Sequence, residues 1–183
     1  ILFAGDNGAP GKQTHNSPTG SWNGSNNVPM RGVKGGLHEG GIRVPMFAYW
    51  KNKILPGQVI NEMVTTLDFT ATTVALGGGK IPPEFDGVNL MPRLTGKASE
   101  ISRSQPMYWD FYSGQAIRMG DWKLWRKDEI SVLFNIANDP AELTNLAYQQ
   151  PERVLEMSRK LDAWVATLPA TARYDPNGRG KNM

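Results

Sequence analysis

One glycine-rich stretch, residues 31–45, constrains this chain more than any other part of its sequence. It reads Arg-Gly-Val-Lys-Gly-Gly-Leu-His-Glu-Gly-Gly-Ile-Arg-Val-Pro and lies between a polar segment and an apolar run. Glycine permits left-handed backbone and the close approach of another segment, so this density predicts a fixed, irregular loop. Lys34 lies at the tip of the loop, where its ammonium group is well placed to bind a phosphate-like anion. A solvated loop whose lysine points into water is the alternative that this stretch leaves open.

A second motif lies at the start of the chain. Residues 1–4 are apolar and run into Gly5-Asp6-Asn7-Gly8, a pattern typical of a buried strand that ends in a tight turn. Asp6 and Asn7 offer one charged and one neutral oxygen, which are the ligands that hard cations prefer. Asp-Asn-Gly is also an ordinary turn sequence, in which the side chains bond to their own backbone.

These two motifs and five later segments resemble one family, in the same order along the chain. The Asp-Asn-Gly turn and the loop 31–45 resemble the second half of a type I sulfatase, a branch of the alkaline phosphatase superfamily. The resemblance covers about residues 3–164 and continues through Leu-Asp-Phe-Thr-Ala-Thr (67–72), Phe-Asp-Gly-Val-Asn-Leu (85–90), Leu-Thr-Gly-Lys (94–97), Ala-Ile-Arg-Met-Gly-Asp-Trp-Lys-Leu (116–124) and Asp-Pro-Ala-Glu-Leu-Thr-Asn-Leu (139–146).

The resemblance implies an α/β fold, the C-terminal part of an alkaline phosphatase-like architecture. Residues 1–97 are expected to be the C-terminal part of the catalytic domain, with the end of its mixed central sheet and a helix over 61–76. Residues 98–183 are expected to be a small α+β subdomain. Four short strand patterns predict an antiparallel sheet there, at 107–112, 115–119, 122–126 and 132–136, with turns at Ser113-Gly114 and Gly120-Asp121. A helix that opens at Pro151 is expected to cover this sheet.

The resemblance also implies the roles of three residues in sulfate ester hydrolysis. Asp6 and Asn7 are expected to be metal ligands, with Ca²⁺ as the usual ion of the family, shared with residues outside this sequence. Lys34 is expected to be the catalytic and substrate-binding residue that donates to a sulfate oxygen. The implied substrate is a sulfated small molecule or carbohydrate.

Four further residues near the predicted site have expected roles. His38 is a candidate for a substrate contact, although packing is favoured for it. His15 lies in the long polar loop 9–27, which we expect to cover the mouth of the site, and is the other candidate substrate contact. Glu39 and Arg43 are expected to hold the lysine loop in shape through hydrogen bonds and an ion pair.

The nucleophile of the family is missing from this sequence. Sulfatases make a formylglycine from Cys or Ser in a Cys/Ser-x-Pro-x-Arg motif. The chain has no cysteine, and Pro18 and Arg31 are too far apart to belong to such a motif. We therefore interpret the sequence as a C-terminal fragment that is inactive alone and needs the N-terminal half of the same protein as its partner.

Composition excludes some function classes and leaves others open. The net charge is only +3 over 183 residues and the basic residues are scattered, so a nucleic-acid surface is not indicated. No apolar run reaches membrane-spanning length. Two alternatives to a sulfatase remain: a phosphate or phosphonate monoester hydrolase of the same superfamily, and a non-catalytic module that binds an anion or Ca²⁺. Resemblance alone favours a periplasmic or secreted location.

Overall fold

Residues 1–10 and 26–169 are described by the computed structural model. The chain divides into two compact units, the first made of Ile1–Gly5 and Pro45–Gln105, the second of Asp6–Val44 and Pro106–Met183. Each unit therefore contains two separate stretches of sequence, and the glycine-rich loop belongs with the C-terminal residues. Whether 1–97 and 98–183 are the domains of the intact protein stays a prediction.

Ten helices and strands are formed by the described residues. In chain order they are β1 (Leu2–Ala4), α1 (Glu39–Ile42), β2 (Met46–Ala48), α2 (Leu67–Leu76), α3 (Met91–Leu94), β3 (Met107–Phe111), β4 (Gly114–Met119), β5 (Trp122–Lys127), β6 (Ile130–Asn135) and α4 (Pro151–Thr167).

The first unit contains a two-stranded antiparallel sheet in which β1 pairs with β2. Phe3 and Phe47 are register partners, and their rings stack with centroids 4.8 Å apart. Both rings are roughly half exposed, whereas the apolar run at residues 1–4 predicts a buried strand. Among the described residues this sheet has only two strands, and a two-stranded sheet buries little of either face.

Helix α2 is shorter than the predicted span 61–76 and begins at Leu67. The buried Asp68 carboxylate accepts the N–H groups of Thr65 and Val88, each at 2.8 Å, and forms an ion pair with Arg103 at 2.6 Å. By binding the Thr65 N–H, this side chain holds the segment ahead of the helix in a separate turn. Asp68 is thus a structural hydrogen-bonding residue.

The second unit contains an antiparallel sheet with strand order β3-β4-β5-β6, which confirms the predicted four-stranded sheet. The turn between β4 and β5 lies at Gly120-Asp121, as predicted, since Met119 pairs with Trp122. The first turn is wrong by one residue. Phe111 pairs with Gly114, so the turn residues are Tyr112 and Ser113, and Gly114 already belongs to β4.

Helix α4 covers one face of this sheet, which confirms the predicted packing. Side chains alternate between the two faces of a strand, and one face supplies Ile117, Leu124 and Leu133 to a core that also contains Met157 and Leu161 of α4. The other face carries Arg118, Lys123, Trp125 and Phe134; Lys123 pairs with Arg118 on one side and with Phe134 on the other, and Trp125 lies two residues further along β5. Among the described helices, none has the length and apolarity to span a bilayer.

Candidate functional site

The Asp6-Asn7-Gly8 turn and the glycine-rich loop 31–45, here called the lysine loop, are joined by backbone hydrogen bonds within the second unit. The Gly8 N–H donates to the Gly41 carbonyl at 3.0 Å, and the Lys34 N–H donates to the Ala9 carbonyl at 3.0 Å. The two motifs that sequence reasoning treated as one site therefore lie side by side.

Asn27 reinforces this junction with its side chain. Its Oδ1 accepts the Ala9 N–H at 2.7 Å, and its Nδ2 lies 3.0 Å from both the Ala9 and the Gly32 carbonyls. One amide thus bridges the segment after the Asp-Asn turn and the start of the lysine loop. Sequence reasoning did not identify Asn27, because it is one of several Asn and Ser residues in an aperiodic polar run.

The glycines of the junction are required by its tight packing. A Cβ on Gly8 would overlap the Gly40 carbonyl oxygen. A Cβ on Gly40 would lie 2.5 Å from the Gly32 oxygen and 2.6 Å from the Arg31 oxygen, distances that real side chains do not adopt. The backbones therefore approach as closely as they do only because these positions have no side chain.

Lys34 is exposed and lies in a turn with Gly35. Within the described residues, its ammonium group forms no ion pair or hydrogen bond, although its backbone is fixed through Ala9. Gly35 has a φ of +84°, and the Tyr112 hydroxyl lies 2.5 Å from the position that a Cβ on Gly35 would take. The lysine is thus a free cation on a backbone with a fixed path, as an anion-binding residue requires.

Asp6 and Asn7 provide only part of a cation site. The Asn7 amide nitrogen donates to Asp6 Oδ1 at 3.2 Å and to the Gly8 carbonyl at 3.4 Å. Asp6 Oδ2 and Asn7 Oδ1 form no hydrogen bond to other described residues. These oxygens fit a hard cation, which takes about six to eight oxygen ligands. In residues 1–10 and 26–169 no group of three or more His, Cys, Asp and Glu residues could hold a metal ion.

Glu39 anchors the other end of the lysine loop in a buried position. Its Oε1 accepts from Lys123 Nζ at 2.9 Å, and its Oε2 lies 3.5 Å from Arg118 Nη1. The expected pair with Arg43 is present but long, at 3.9 Å, and Arg43 is half-exposed. Two cations from β4 and β5, and not Arg43, are thus the main partners of Glu39.

Glu142 is the second buried carboxylate of this cluster. Its Oε1 lies 3.0 Å from Lys123 Nζ, and its Oε2 accepts the Glu39 backbone N–H at 2.6 Å. The backbone of Glu142 has a φ of +56°, which costs a residue with a side chain about 1–3 kcal/mol. The contacts of its carboxylate hold the turn after Asp139 against the lysine loop.

Charge balance explains how these groups coexist without water. The wholly buried Lys123 lies between two buried carboxylates, and Arg118 supplies the second positive charge that balances them. Burial acts to raise the pKa of Glu142, but His38, Lys123 and the Glu39 N–H together lower it below the ordinary value. Burial also lowers the pKa of Arg118, partly offset by attraction to Glu39. Glu142 is therefore an ionised carboxylate at neutral pH.

His38 packs on the sheet. Its ring stacks on Trp125 with centroids 5.2 Å apart and meets the edge of Phe134 at 6.1 Å. Its Nδ1 lies 3.3 Å from Glu142 Oε2, which is ion-pair range without hydrogen-bond geometry. The packing role that the sequence favoured is present, and a substrate contact by His38 stays a prediction. His15, the other candidate, lies outside the described residues.

Sequence reasoning missed three residues that lie next to the candidate site: Lys123, Arg118 and Glu142. One signal was available, since Lys123 lies between Trp122 and Leu124 in a strand and alternation places it on the face of Trp125. A lysine on a face with large aromatic residues predicts a buried carboxylate partner. Its identity is not readable from the strand, because the partner comes from a distant loop.

Comparison with known proteins decides the family. The family model described as N-sulphoglucosamine sulphohydrolase, C-terminal, matches residues 34–168, from the loop lysine to the end of α4. The chain belongs to the sulfatase family. The resemblance seen in its motifs is thereby confirmed, and the chain matches the C-terminal portion of the proteins in this family.

Curated relatives and solved structures agree with this assignment. The sulfatase-family chain is 29% identical to human arylsulfatase A over 209 residues, which cover 97% of it and 39% of that enzyme. It is 28% identical to a sulfatase of Formosa agariphila over 190 residues, covering 90% and 32% of the two chains. The crystal structure of Ps i-CgsB matches with a TM-score of 0.78 at 27% identity, over 95% of this chain and 38% of that one.

The PsFucS1 sulfatase from Pseudoalteromonas sp. matches with a TM-score of 0.72 at 27% identity, over 96% of this chain and 38% of that one. These neighbours confirm the predicted α/β sulfatase fold. The chain spans only about a third of the length of the curated relatives it matches.

Proposed function

We propose that this chain is the C-terminal part of a sulfatase that hydrolyses sulfate monoesters, and that Lys34 binds the sulfate group. One observation carries the proposal. The exposed Lys34 ammonium stands on a loop whose backbone is hydrogen-bonded to the segment that follows Asp6 and Asn7. A free cation and two hard oxygen ligands on adjoining backbones suit a tetrahedral oxyanion that is held by a metal ion and a lysine.

Lys34 has two tasks in this proposal. Its ammonium donates to a sulfate oxygen, which orients the ester in the site. It also faces negative charge that builds on the leaving oxygen as the S–O bond breaks. A preorganised donor of this kind is worth on the order of 3 kcal/mol of transition-state stabilisation.

Asp6 and Asn7 would hold a divalent cation, which in this family is usually Ca²⁺. When bound, such an ion polarises the sulfate oxygens as a Lewis acid. The Asp6 carboxylate contributes one negative charge to that site, and the neutral Asn7 amide oxygen limits the total charge. The remaining ligands and the formylglycine nucleophile are proposed to come from the N-terminal half of the protein.

The buried charge cluster (Glu39, Glu142, Lys123 and Arg118) supports this function indirectly. Glu39 follows Lys34 by five residues and is fixed to β5 through Lys123. The Asp-Asn turn fixes the other side of the loop through Gly8 and Ala9. Because both sides are held, the lysine backbone does not have to be ordered when substrate binds, which lowers the entropic cost of binding.

A carbohydrate is the substrate class that one of the solved neighbours supports. The solved structure of Ps i-CgsB in complex with k-i-k-neocarrahexaose matches this chain with a TM-score of 0.78 at 27% identity. We therefore propose a sulfated carbohydrate as substrate, with a small aryl sulfate as the simpler alternative. A periplasmic or secreted location belongs to the same proposal and rests on resemblance alone.

The test is an assay of the full-length protein that contains this chain together with its N-terminal half. Purified protein is given sulfate, phosphate and phosphonate monoesters of the same aryl alcohol. We expect release of sulfate, and a fall in kcat/KM of about 10²-fold in Lys34→Ala without a change in melting temperature. Lys97→Ala, which changes an exposed lysine of the first unit, is the matched control. Faster release of phosphate than of sulfate, or normal kcat/KM in Lys34→Ala, would overturn the proposal.

A further inference from the structure

Tyr112 touches the turn that presents Lys34. It is one of the two turn residues between β3 and β4, and its hydroxyl lies 2.5 Å from the position that a Cβ on Gly35 would take. The next nearest atoms of the ring, Cζ and Cε1, lie 3.5 and 3.9 Å from the same position. The hydroxyl is therefore the part of the side chain that reaches the lysine loop, at the residue directly after Lys34.

Gly35 is a point at which the path of this turn can change. Its φ of +84° lies in a region that glycine adopts readily, and glycine also leaves that region more readily than other residues do. The turn is closed by a backbone hydrogen bond from the Gly36 N–H to the Val33 carbonyl at 2.8 Å. Rotation at Gly35 would turn the peptide that follows Lys34, so a neighbour that blocks this rotation fixes the direction of the lysine.

The sheet of the second unit holds Tyr112 in place. Its neighbour Phe111 is the last residue of β3, and the two rings pack with centroids 4.4 Å apart. Strand β4 continues from this hairpin and pairs with β5, which carries Lys123, the partner of Glu39. The same sheet thus contacts the lysine loop at Gly35 and at Glu39, two points that lie four residues apart.

Two other contacts hold the turn from its N-terminal side. The Lys34 N–H donates to the Ala9 carbonyl at 3.0 Å, and the Asn27 amide nitrogen lies 3.0 Å from the Gly32 carbonyl. Both contacts involve Lys34 or a residue before it, whereas Tyr112 meets the residue after it. Tyr112 therefore limits the turn from its C-terminal side.

We propose that Tyr112 is a positioning residue of the sulfatase site, whose hydroxyl blocks rotation at Gly35 and so holds the Lys34 ammonium where the sulfate binds. This inference rests on the proposed function and deepens it, because it names a residue that acts on the ester only through Lys34. A displacement of about 1 Å at a group that stabilises the transition state can cost about 10²-fold in rate. A contact one residue away from the lysine is therefore enough to affect kcat.

The first test is a double-mutant cycle on the full-length protein in the aryl sulfate assay. Tyr112→Ala should lower kcat/KM by about tenfold, mainly through kcat, since Lys34 keeps its charge but loses its position. In a Lys34→Ala background the same change should leave kcat/KM unaltered, because the group that Tyr112 positions is gone. Equal losses in both backgrounds would show that Tyr112 acts on the substrate itself and would overturn the proposal. Tyr148→Ala, which removes a tyrosine that is 95% exposed, is the matched control and should have unaltered kinetics.

Hydrogen exchange, read amide by amide in the full-length protein, tests the same role without turnover. Tyr112→Ala should speed exchange of the Lys34 and Gly36 N–H groups by about tenfold. The Gly40 N–H, which donates to the Arg31 carbonyl at 2.6 Å, should exchange as before. An equal rise at all three amides, or a rise at none of them, would overturn the proposal. If Tyr112→Ala does not fold, Tyr112→Phe decides the outcome, since it removes only the hydroxyl and should speed exchange at the same two amides by a smaller factor.

A second substitution isolates the contact between Tyr112 and Gly35. In Gly35→Ala the new Cβ would lie 2.5 Å from the Tyr112 hydroxyl, whereas in a Tyr112→Phe background the nearest ring atom would be 3.5 Å away, an ordinary contact. The strain of a positive φ is the same in both backgrounds and cancels in the comparison. Gly35→Ala should therefore speed exchange of the Gly36 N–H by a larger factor when Tyr112 is present than in the Tyr112→Phe background.

The two kinds of failure can be told apart. Equal factors for Gly35→Ala in the two backgrounds would show that the hydroxyl does not hold the turn, whatever the enzyme hydrolyses. If the full-length protein releases no sulfate, the proposed function fails, and the exchange rates still decide whether Tyr112 holds the Lys34 turn.

Discussion

Lys123 Nζ lies 2.9 Å from Glu39 Oε1, although 84 residues separate them and both side chains are almost fully buried. The same ammonium lies 3.0 Å from Glu142 Oε1. One cation thus pairs with carboxylates from two separate loops, and neither loop can leave the sheet without leaving a buried charge unpaired. The lysine loop has little regular secondary structure, and these ion pairs fix its position on the sheet of its unit.

Removal of the central cation should therefore be costly. Lys123→Met keeps most of the side-chain volume but leaves Glu142 without its lysine partner and Glu39 with only Arg118 and the more distant Arg43. We expect the free energy of unfolding to fall by about 3–5 kcal/mol, measured by urea denaturation at pH 7. Lys127→Met, an exposed lysine on the same strand, should change it by less than about 0.5 kcal/mol. Similar effects of the two changes would show that Lys123 is not the centre of the cluster.

Glu142 should make stability depend on pH in the acid range. Its pKa is lowered from 4.5 in the folded chain, so the folded state favours the ionised carboxylate. The stabilisation is present above the unfolded-state pKa and is lost as pH falls through the lower folded value. Unfolding free energies between pH 7 and pH 3 should therefore decrease below about pH 4.5.

A glutamine variant isolates this contribution. Glu142→Gln should be less stable at pH 7 and should have a flatter profile between pH 5 and pH 3 than the unchanged chain, because it has no proton to take up there. Glu129→Gln, which changes an exposed carboxylate in the β5–β6 turn, should keep the original slope. If the free energy of unfolding of Glu142→Gln depends on pH as it does in the unchanged chain, another group causes the loss of stability in acid.

The lysine loop should not tolerate a methyl group at Gly40. A Cβ there would lie 2.5 Å from the Gly32 oxygen, and both groups are backbone, so neither can rotate away. We expect Gly40→Ala to lower the free energy of unfolding by at least about 2 kcal/mol in urea titrations. At Gly77 the nearest atom to a new Cβ is 3.5 Å away, so Gly77→Ala is the control and should be nearly neutral. If Gly40→Ala and Gly77→Ala are equally stable, the backbone of the lysine loop does not pack as closely as described here.

Ca²⁺ should hardly stabilise the 183-residue chain by itself. Asp6 and Asn7 offer two side-chain oxygens, which is far below the number that Ca²⁺ takes. Binding stabilises a fold only by RT ln(1 + [L]/Kd), so millimolar Ca²⁺ should move the melting temperature by about 1 °C or less. A rise of several degrees that Asp6→Ala abolishes would show that this chain supplies more of the ligand shell.

Regular elements with a strong local signal were predictable from the sequence. Pro151 at the first position of α4, followed by an apolar stripe, predicted the helix that is present. The period-two pattern from residue 107 onward predicted the antiparallel sheet, and Gly120-Asp121 predicted its second turn. Each of these signals is carried by neighbouring residues, so no distant contact was needed to interpret them.

Boundaries that depend on distant partners were not predictable. Helix α2 begins at Leu67, and the Asp68 carboxylate accepts the nearby Thr65 N–H and the distant Val88 N–H. The first hairpin turns at Tyr112 and Ser113, one residue earlier than the Ser-Gly pair indicated. In the first case one of the two partners lies 20 residues away, and in the second the strand register, rather than the Ser-Gly pair, defines the turn.

The sequence by itself determined that residues 31–45 form a tight glycine-dependent loop with one prominent lysine. It also determined that Asp6 and Asn7 precede this loop, in the order found in the sulfatase family. Only the tertiary structure decided what Glu39 pairs with. Arg43 was the obvious partner, four residues away, but burial selects Lys123 and Arg118. An exposed pair gains little in water, whereas a carboxylate that packing removes from solvent must be neutralised by a cation on the same face of the sheet.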